Sequence, residues 1–322
     1  MNDLKIMILT DGKIGDLVQC RGVAARIADG SNIVEKVIAP DWWHSLPFPF
    51  IGVQKSDLRG QPDSPFNDPL PDLILASGRR TIPYLRTFKA KRSSNKKPMM
   101  VFLKDPRSGR GVADLVWAPV HDRLNGTDVI TTHTSPHGLT SEALASAGKS
   151  AAQRFRNFQG KTTGVILGGD SGSVKWTNKT ADDFANIVRS LPDDETILVT
   201  PSRRTPDCLK KAIQNIADHR TLWYWDGSGD NPYFEILTHC NRLVVTGDSH
   251  NMVSECLATE KPVYVHQPPG LSKKLQKFLQ AMETLNAIKS AGDWDPFDPI
   301  KIDATLEISE AIKDRISTHY NL

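Results

Sequence analysis

A chain that carries Leu243-Val244-Val245-Thr246-Gly247-Asp248-Ser249-His250-Asn251-Met252-Val253-Ser254-Glu255-Cys256-Leu257 and then Pro262-Val263-Tyr264-Val265-His266 has few folds open to it. A β-branched run forms a strand, Gly247 turns the chain, a short helical pattern follows, and the second apolar run is the next strand. That order is the unit from which parallel sheets are built. Ser249 or Asp248 can cap the helix, because a side-chain oxygen there accepts from N–H groups that the first turn leaves unpaired. The same helix start carries about half a positive charge and suits an anion. Asp248, Met252 and Glu255 share one helical face, whereas Val253, Cys256 and Leu257 share another and can pack on the sheet. The polar face looks out at the carboxyl end of a strand, where open α/β sheets bind ligands. A plain capped helix has the same local pattern, so this stretch alone does not separate a site from a scaffold.

The rhythm repeats along the chain. Lys5–Thr10, Asn32–Ala39, Asp72–Ala76, Met99–Leu103, Asp114–Ala118 and Thr127–Thr131 read as strands of a first half, interrupted by an irregular, proline-rich excursion with a short helix over Pro40–Pro71. Thr140–Gln159 reads as a polar helix. Strands then recur at Thr163–Leu167, Glu195–Thr200 and Thr221–Trp225, ahead of the two strands named above. Thr180 with Asp183 reads as a capping box opening the helix of Phe184, Ile187, Val188 and Leu191, and Thr205-Pro206 reads as an N-cap followed by proline. A last helix at Leu306–Ile316 lines up Ile308, Ile312 and Ile316. The expectation is α/β: two Rossmann-like domains, 1–160 and 161–322, facing a cleft.

At 322 residues, 39% hydrophobic and 24% charged, the chain has the composition of a soluble protein with two sizeable cores. A net charge of +3 does not call for a nucleic-acid partner. Cys20, Cys208, Cys240 and Cys256 are scattered, as free thiols in a reducing compartment are, and no secretory or membrane-spanning run is evident, so the expected location is cytoplasmic.

Several local motifs fail on context. Gly169-Asp170-Ser171-Gly172 echoes a serine-protease box, but follows a strand of an α/β pattern. Gly247-Asp248-Ser249 echoes a hydrolase nucleophile block without its later Asp-x-x-His partner. Asp293-Trp294-Asp295 lies among prolines near the carboxyl end, and neither P-loop nor G-x-G-x-x-G spacing occurs. Histidines and cysteines never reach metal-ligand spacing, so no metal site is expected. What survives is a set of polar loops after successive strands: Asp11–Asp16, Ser77–Arg80 and Lys104–Arg107, then Gly168–Ser173, Ser202–Arg204, Gly227–Tyr233 and Gly247–Glu255. Glycines let backbone approach a ligand, helix starts favour anions, and arginines fork onto phosphate. Together they point to a phosphorylated ligand.

The residues also resemble a known family. Asp11-Gly12-x-x-Gly15-x-x-x-Gln19, Ser77-Gly78-Arg79-Arg80-Thr81, Asp105-Pro106-Arg107, Ser202-Arg203-Arg204-Thr205-Pro206, Gly229-Asp230-Asn231-Pro232-Tyr233 and Asp248-Ser249-x-x-Met252-Val253-Ser254-Glu255 look like the mitochondrial fission "elongated mitochondria" family, in order over nearly the whole chain. That resemblance implies a GT-B-like fold with the last helix crossing back to the first domain, and a glycosyltransferase that uses a nucleotide-diphosphate sugar without an essential metal or other cofactor. It places the diphosphate at the helix start near Ser249 and the ribose on Glu255, within a binding set of Gly12, Gly15, Gln19, Arg79, Asp105, Arg107, Gly168, Gly169, Asp170, Ser171, Ser202, Arg203, Arg204, Asn231, Asp248, Ser249, Met252, Ser254 and Glu255. His250-Asn251 departs from the smaller or apolar residues usual there. No catalytic base carries over; the Asp11–Asp16 and His121-Asp122 regions are both open. The acceptor, expected among lipid-linked or cell-envelope glycans, is not named by the sequence. The plant members recruit fission machinery to a membrane, so association with a membrane surface and a non-catalytic adaptor role stand as alternatives, beside a sugar-nucleotide epimerase.

Overall fold

The computed structural model describes residues 4–38, 41, 43, 52–67, 69–92, 97–107, 111–158 and 160–320. The chain forms two compact units, one of Met1–Gly138 with Ala304–Leu322 and one of Leu139–Asp303.

In the first unit, β1 (Ile6–Thr10), β2 (Ile33–Val37), β3 (Leu73–Ala76), β4 (Met99–Leu103), β5 (Leu115–Pro119) and β6 (Val129–Thr132) make a parallel sheet in the order β2-β1-β3-β4-β5-β6. Parallel strands need apolar cover on both faces, and the alternation of side chains supplies two cores. Ile6, Ile8, Leu73, Leu75, Met99 and Val101 pack with Cys20, Val23 and Ala24 of α1 (Ile14–Ala25). Met7, Leu9, Ile74, Ala76, Met100 and Phe102 pack with Ile82, Leu85 and Phe88 of α2 (Ile82–Ala90). The Pro40–Pro71 excursion is described only in part; among its described residues Lys55–Asp57 forms a 3-10 turn, and much of the stretch in which a short helix is expected lies outside the described residues.

In the second unit, α3 (Ser141–Arg154) precedes β7 (Thr162–Leu167). There follow α4 (Asn178–Arg189), β8 (Thr196–Pro201), α5 (Asp207–Gln214), β9 (Leu222–Tyr224), α6 (Tyr233–His239), β10 (Arg242–Thr246), α7 (His250–Leu257), β11 (Val263–His266), α8 (Lys273–Thr284) and β12 (Lys289–Ser290). The sheet order is β12-β11-β10-β7-β8-β9, again parallel throughout. The compact units therefore divide at Gly138, ahead of the residue-160 boundary expected from the sequence. The cause is α3, a helix polar by composition, which docks on α6: Arg154 pairs with Glu235, and Phe155 sits 5.1 Å from the rings of both Trp223 and His239.

The last helix, α9 (Ala304–Tyr320), packs on the first unit. Ile308, Ile312 and Ile316 are wholly buried against the α1 face of the sheet. Burying three such side chains contributes about 1.5–3 kcal/mol each. The Tyr320 hydroxyl accepts from Met99 N–H at 2.9 Å and donates to the Asp72 carbonyl at 2.6 Å, tying the helix to two strand starts.

Two caps differ from the sequence reading. Helix α4 begins at Asn178 with Thr177 as N-cap and Thr180 as its reciprocal partner, while Asp183 pairs with Lys179. Helix α5 has Pro206 at its N-cap position, because the Thr205 hydroxyl bonds to the carbonyls of Leu167 and Gly168 across the sheet.

Candidate functional site

Strand order decides where a ligand can enter. In the second unit the chain proceeds from β7 outward to β8 and β9, then returns to the other side of β7 with β10. Loops leaving β7 and β10 therefore diverge and open a crevice at their carboxyl ends. Gly168-Gly169 and Thr246–Ser249 occupy this switch point.

These loops are pinned together by backbone donors. Gly168 N–H donates to Thr246 Oγ1 at 2.8 Å, and Gly169 N–H to Asp248 Oδ2 at 2.9 Å. A Cβ on Gly168 would be driven into the Asp248 carboxylate, and one on Gly169 into the Arg204 carbonyl. Only glycines allow such close approach. From the β8 side, Ser202 Oγ donates to the Gly168 carbonyl at 2.9 Å, and Asp170 N–H donates to the Arg204 carbonyl at 3.1 Å. Arg204 Nη1 returns to the Asp170 carbonyl at 3.1 Å, and its Nη2 lies 3.8 Å from Asp248 Oδ2.

The Asp248 side chain is fully buried, and its Oδ1 has no hydrogen-bond partner. Burial pushes its carboxyl above the usual range, opposed by Thr246, the Gly169 N–H and Arg204. Asp248 thus orders the loop and aims Arg204; Ser249 is the cap of α7, accepting from Met252 N–H at 3.4 Å. Arg203 is exposed and makes no described hydrogen bond or ion pair, and Arg204 is half-exposed, so both cations are open to an incoming anion.

Helix α7 buries Val253, Cys256 and Leu257, and Ser254 with them. The Ser254 hydroxyl donates to the His250 carbonyl at 2.8 Å, so it is directed back along its own helix. Glu255 is not a solvated carboxylate: it accepts the Tyr233 hydroxyl at 2.6 Å. Asn231 Oδ1 in turn accepts Tyr233 N–H at 3.0 Å, which starts α6. Asp170 and Ser171 close their own loop, accepting from Trp176 N–H at 3.0 Å and Val174 N–H at 3.1 Å. Of the residues read from sequence, Gly168, Gly169, Asp170, Ser202, Arg204 and Asp248 meet in one bonded cluster. Thr205 and Thr246 complete it; neither stands out in the sequence, since a threonine beside proline reads as a cap and one ending a strand reads as β-propensity.

A family model described as mitochondrial fission ELM1 matches residues 15–316. The chain belongs to that family.

Among curated members and relatives, this ELM1-family chain is 25% identical to an uncharacterized protein of Rickettsia prowazekii over 243 residues, covering 64% of this chain and 68% of that protein. It is 25% identical over 249 residues to the mitochondrial fission protein ELM1 of Arabidopsis thaliana, covering 68% of this chain but 57% of the plant protein. Solved structures similar in fold include a candidate UDP-N-acetylglucosamine 2-epimerase from Listeria monocytogenes, with a TM-score of 0.56, 11% identity, and coverage of 99% and 97% of the two chains. The UDP-GlcNAc 2-epimerase of Methanocaldococcus jannaschii matches with a TM-score of 0.54 at 9% identity, covering 97% of this chain and 99% of that one. The fold is GT-B-like.

The first unit of this ELM1-family chain has its own switch point, between β1 and β3. Gly12 (φ +81°) follows β1, and a Cβ on Gly15 would meet nothing within 4 Å. Gln19 is buried in α1, and Arg79 is exposed in a 3-10 turn at Arg79–Thr81 after β3. Asp105 Oδ1 accepts from Arg107 N–H at 2.9 Å, which holds Arg107 in a left-handed turn (φ +51°) with its side chain exposed. His121 and Asp122 lie 3.8 Å apart just beyond β5. Among the described residues no helix is long and apolar enough to cross a membrane, and no group of three or more His, Cys, Asp or Glu could hold a metal.

Proposed function

We propose that the second unit binds a nucleotide-diphosphate sugar at the carboxyl ends of β7, β8 and β10, and that the protein transfers the sugar to a hydroxylated acceptor. The observation that carries this reading is the Gly168-Gly169 loop held against Asp248 and Arg204 at the switch point. Side-chain-free backbone, the α7 start at Ser249 and the open cations of Arg203 and Arg204 together favour a diphosphate. Glu255, oriented by Tyr233, is suited to accept from ribose hydroxyls. In the reaction the bond from the sugar's anomeric carbon to the diphosphate breaks, a bond to the acceptor oxygen forms, the acceptor's proton passes to a base, and the nucleoside diphosphate leaves. The positive groups around the diphosphate stabilise its developing charge without a divalent metal. Fold likeness to UDP-GlcNAc 2-epimerases supports a sugar nucleotide as ligand class.

Membership of the fission family favours a second reading, a ligand-binding or ligand-free adaptor that works through a protein partner at a membrane surface. Thermal denaturation with UDP, GDP, ADP and their common sugars, in EDTA, separates the two. A ligand at about 100 times its dissociation constant adds about 2.7 kcal/mol of stability. No shift with any nucleoside diphosphate at millimolar concentration would select the ligand-free adaptor. Product analysis then distinguishes transfer, which consumes an acceptor, from epimerisation, which does not. The acceptor we favour is a lipid-linked or cell-envelope glycan.

A further inference from the structure

We propose that the first unit binds a small organic carboxylate with an apolar body, an acyl or aryl acid, in a cavity over the β2 edge of its sheet. The lining includes Lys5 and Asn32, which directly precede β1 and β2, so the site lies apart from the carboxyl-end loops. The inference does not depend on the nucleotide reading of the second unit.

Parallel register sets Met7 beside Val34 and Leu9 beside Lys36, so all four share the face on which α2 packs. Ile33 and Glu35 take the opposite face, where Ile33 joins the α1 core and Glu35 accepts from Arg21. The α2 face is closed over Met7 but not over Val34, which is 52% exposed. Asp63, Ser64, Asn67, Pro69 and Pro71 form the other wall and leave a cavity of about 410 Å³, a size suited to a small molecule. That wall is set by its own bonds. Asn67 Oδ1 accepts from Gly60 N–H at 2.8 Å, its Nδ2 donates to the Gln61 carbonyl at 2.9 Å, and Ser64 Oγ donates to the Asp57 carbonyl at 2.7 Å.

What the cavity offers a ligand is cationic. The Lys36 side chain is 27% exposed and lies 3.8 Å from Asp63 Oδ1, too far for a hydrogen bond, and Asp63 itself is 97% exposed. Lys5 is exposed, and its ammonium has no ion partner among the described residues. The nearby Asp72 is taken by Lys97 and by the Lys5 backbone N–H. Two ammonium groups and one carboxylate leave a single positive charge, which a monoanion balances. A phosphomonoester brings a second negative charge with nothing to meet it, and a cation is repelled. Met7, Val34, Pro69 and Pro71 make the rest of the lining apolar, so a bare inorganic ion leaves that surface unfilled. A neutral apolar molecule leaves the partly buried Lys36 without an acceptor. A carboxylate head on an apolar body meets both demands.

The test is isothermal calorimetry on the full chain with sub-micellar octanoate and with naphthoate, and with octanol, octyltrimethylammonium and sulfate as counter-probes. At least one carboxylate should bind, less tightly as salt rises, and millimolar UDP should not displace it. Lys36→Met keeps the stem and removes no hydrogen bond, and Val34→Glu sets a negative charge in the half-exposed floor. Each variant should fold and bind the carboxylate about tenfold or more weakly. Should Lys36→Met fail to fold, Val34→Glu, on the exposed edge, decides by the same criterion. Absence of binding by both carboxylates overturns the proposal, as does equal affinity for octanol or sulfate, or binding of octyltrimethylammonium in their place. Undiminished binding in either variant would also overturn it, and displacement by UDP would move the carboxylate to the nucleotide's site.

Discussion

Tyr233 and Glu255, 22 positions apart in sequence, are joined by a 2.6 Å hydrogen bond from the phenol to the carboxylate. Burial, with the adjacent carboxylate, pushes the tyrosine hydroxyl well above its ordinary pKa, so it remains a donor at every working pH. The bond fixes which way Glu255 faces. Glu255→Gln should weaken ribonucleotide binding by about ten- to a hundredfold, the range for loss of a charge-assisted hydrogen bond. A 2′,3′-dideoxynucleotide should bind both proteins alike. Equal ribonucleotide affinity in calorimetry would remove Glu255 from the ribose. Tyr233→Phe should cost about 1 kcal/mol of stability and part of the same affinity.

The glycines should divide by what surrounds them. Gly169→Ala drives a methyl into the Arg204 carbonyl, and the overpacking should destabilise by about 1–3 kcal/mol in denaturant titration. Gly15→Ala, in open space at the start of α1, should stabilise by about 0.5–1 kcal/mol. Destabilisation by the second substitution would mean that the α1 start is packed differently.

Arg203 and Arg204 should also part company. Arg203→Ala removes an exposed side chain and should change stability by less than about 0.5 kcal/mol, while lowering nucleoside-diphosphate affinity in a salt-dependent way. Arg204→Ala also releases the Asp170 carbonyl and the Asp248 carboxylate, so both stability and affinity should fall. Identical melting temperatures for the two variants would contradict the loop lock.

Stability should depend on pH through His266, which sits against Phe184 at 4.6 Å and Trp176 at 5.8 Å. Burial lowers its pKa to about 4, with Asp183 opposing. The unfolded chain takes up this proton near pH 6.5 and the folded chain does not until about pH 4, so stability is full above that window and falls as pH drops through it. The loss should be on the order of 3 kcal/mol. His266→Phe should flatten the dependence of melting temperature between pH 6.5 and 4; an unchanged slope would place the effect elsewhere. Asp248 runs the other way, since its raised carboxyl pKa costs stability as pH rises through it.

The sheets were legible because buried parallel strands are continuous apolar runs, and Leu243–Leu257 carried strand, turn, cap and buried face within one window. Loops after strands located the switch points for the same reason. Longer-range bonds were not legible. Thr205 reads as a cap locally, yet its hydroxyl is taken by carbonyls more than thirty positions away. Glu255 reads as a solvent-facing residue until Tyr233 is placed beside it. The α3 helix shows little beyond alanines and Leu144 as an apolar face, so its attachment to the second unit also draws on Phe155 and Arg154 finding α6. Ser254 carries a polar side chain that the helix itself consumes.

The return of α9 to the first unit makes the second unit a continuous insert, Leu139–Asp303, within a discontinuous host. A ribosome emitting this chain completes all six strands of the first sheet early, but supplies Ile308, Ile312 and Ile316 only with the final helix. The second unit has every residue it needs before then. Order of synthesis and order of completion are therefore inverted: the α1 face of the first sheet waits with only α1 as cover while the insert folds, and a nascent chain stalled before α9 presents apolar surface from its oldest part.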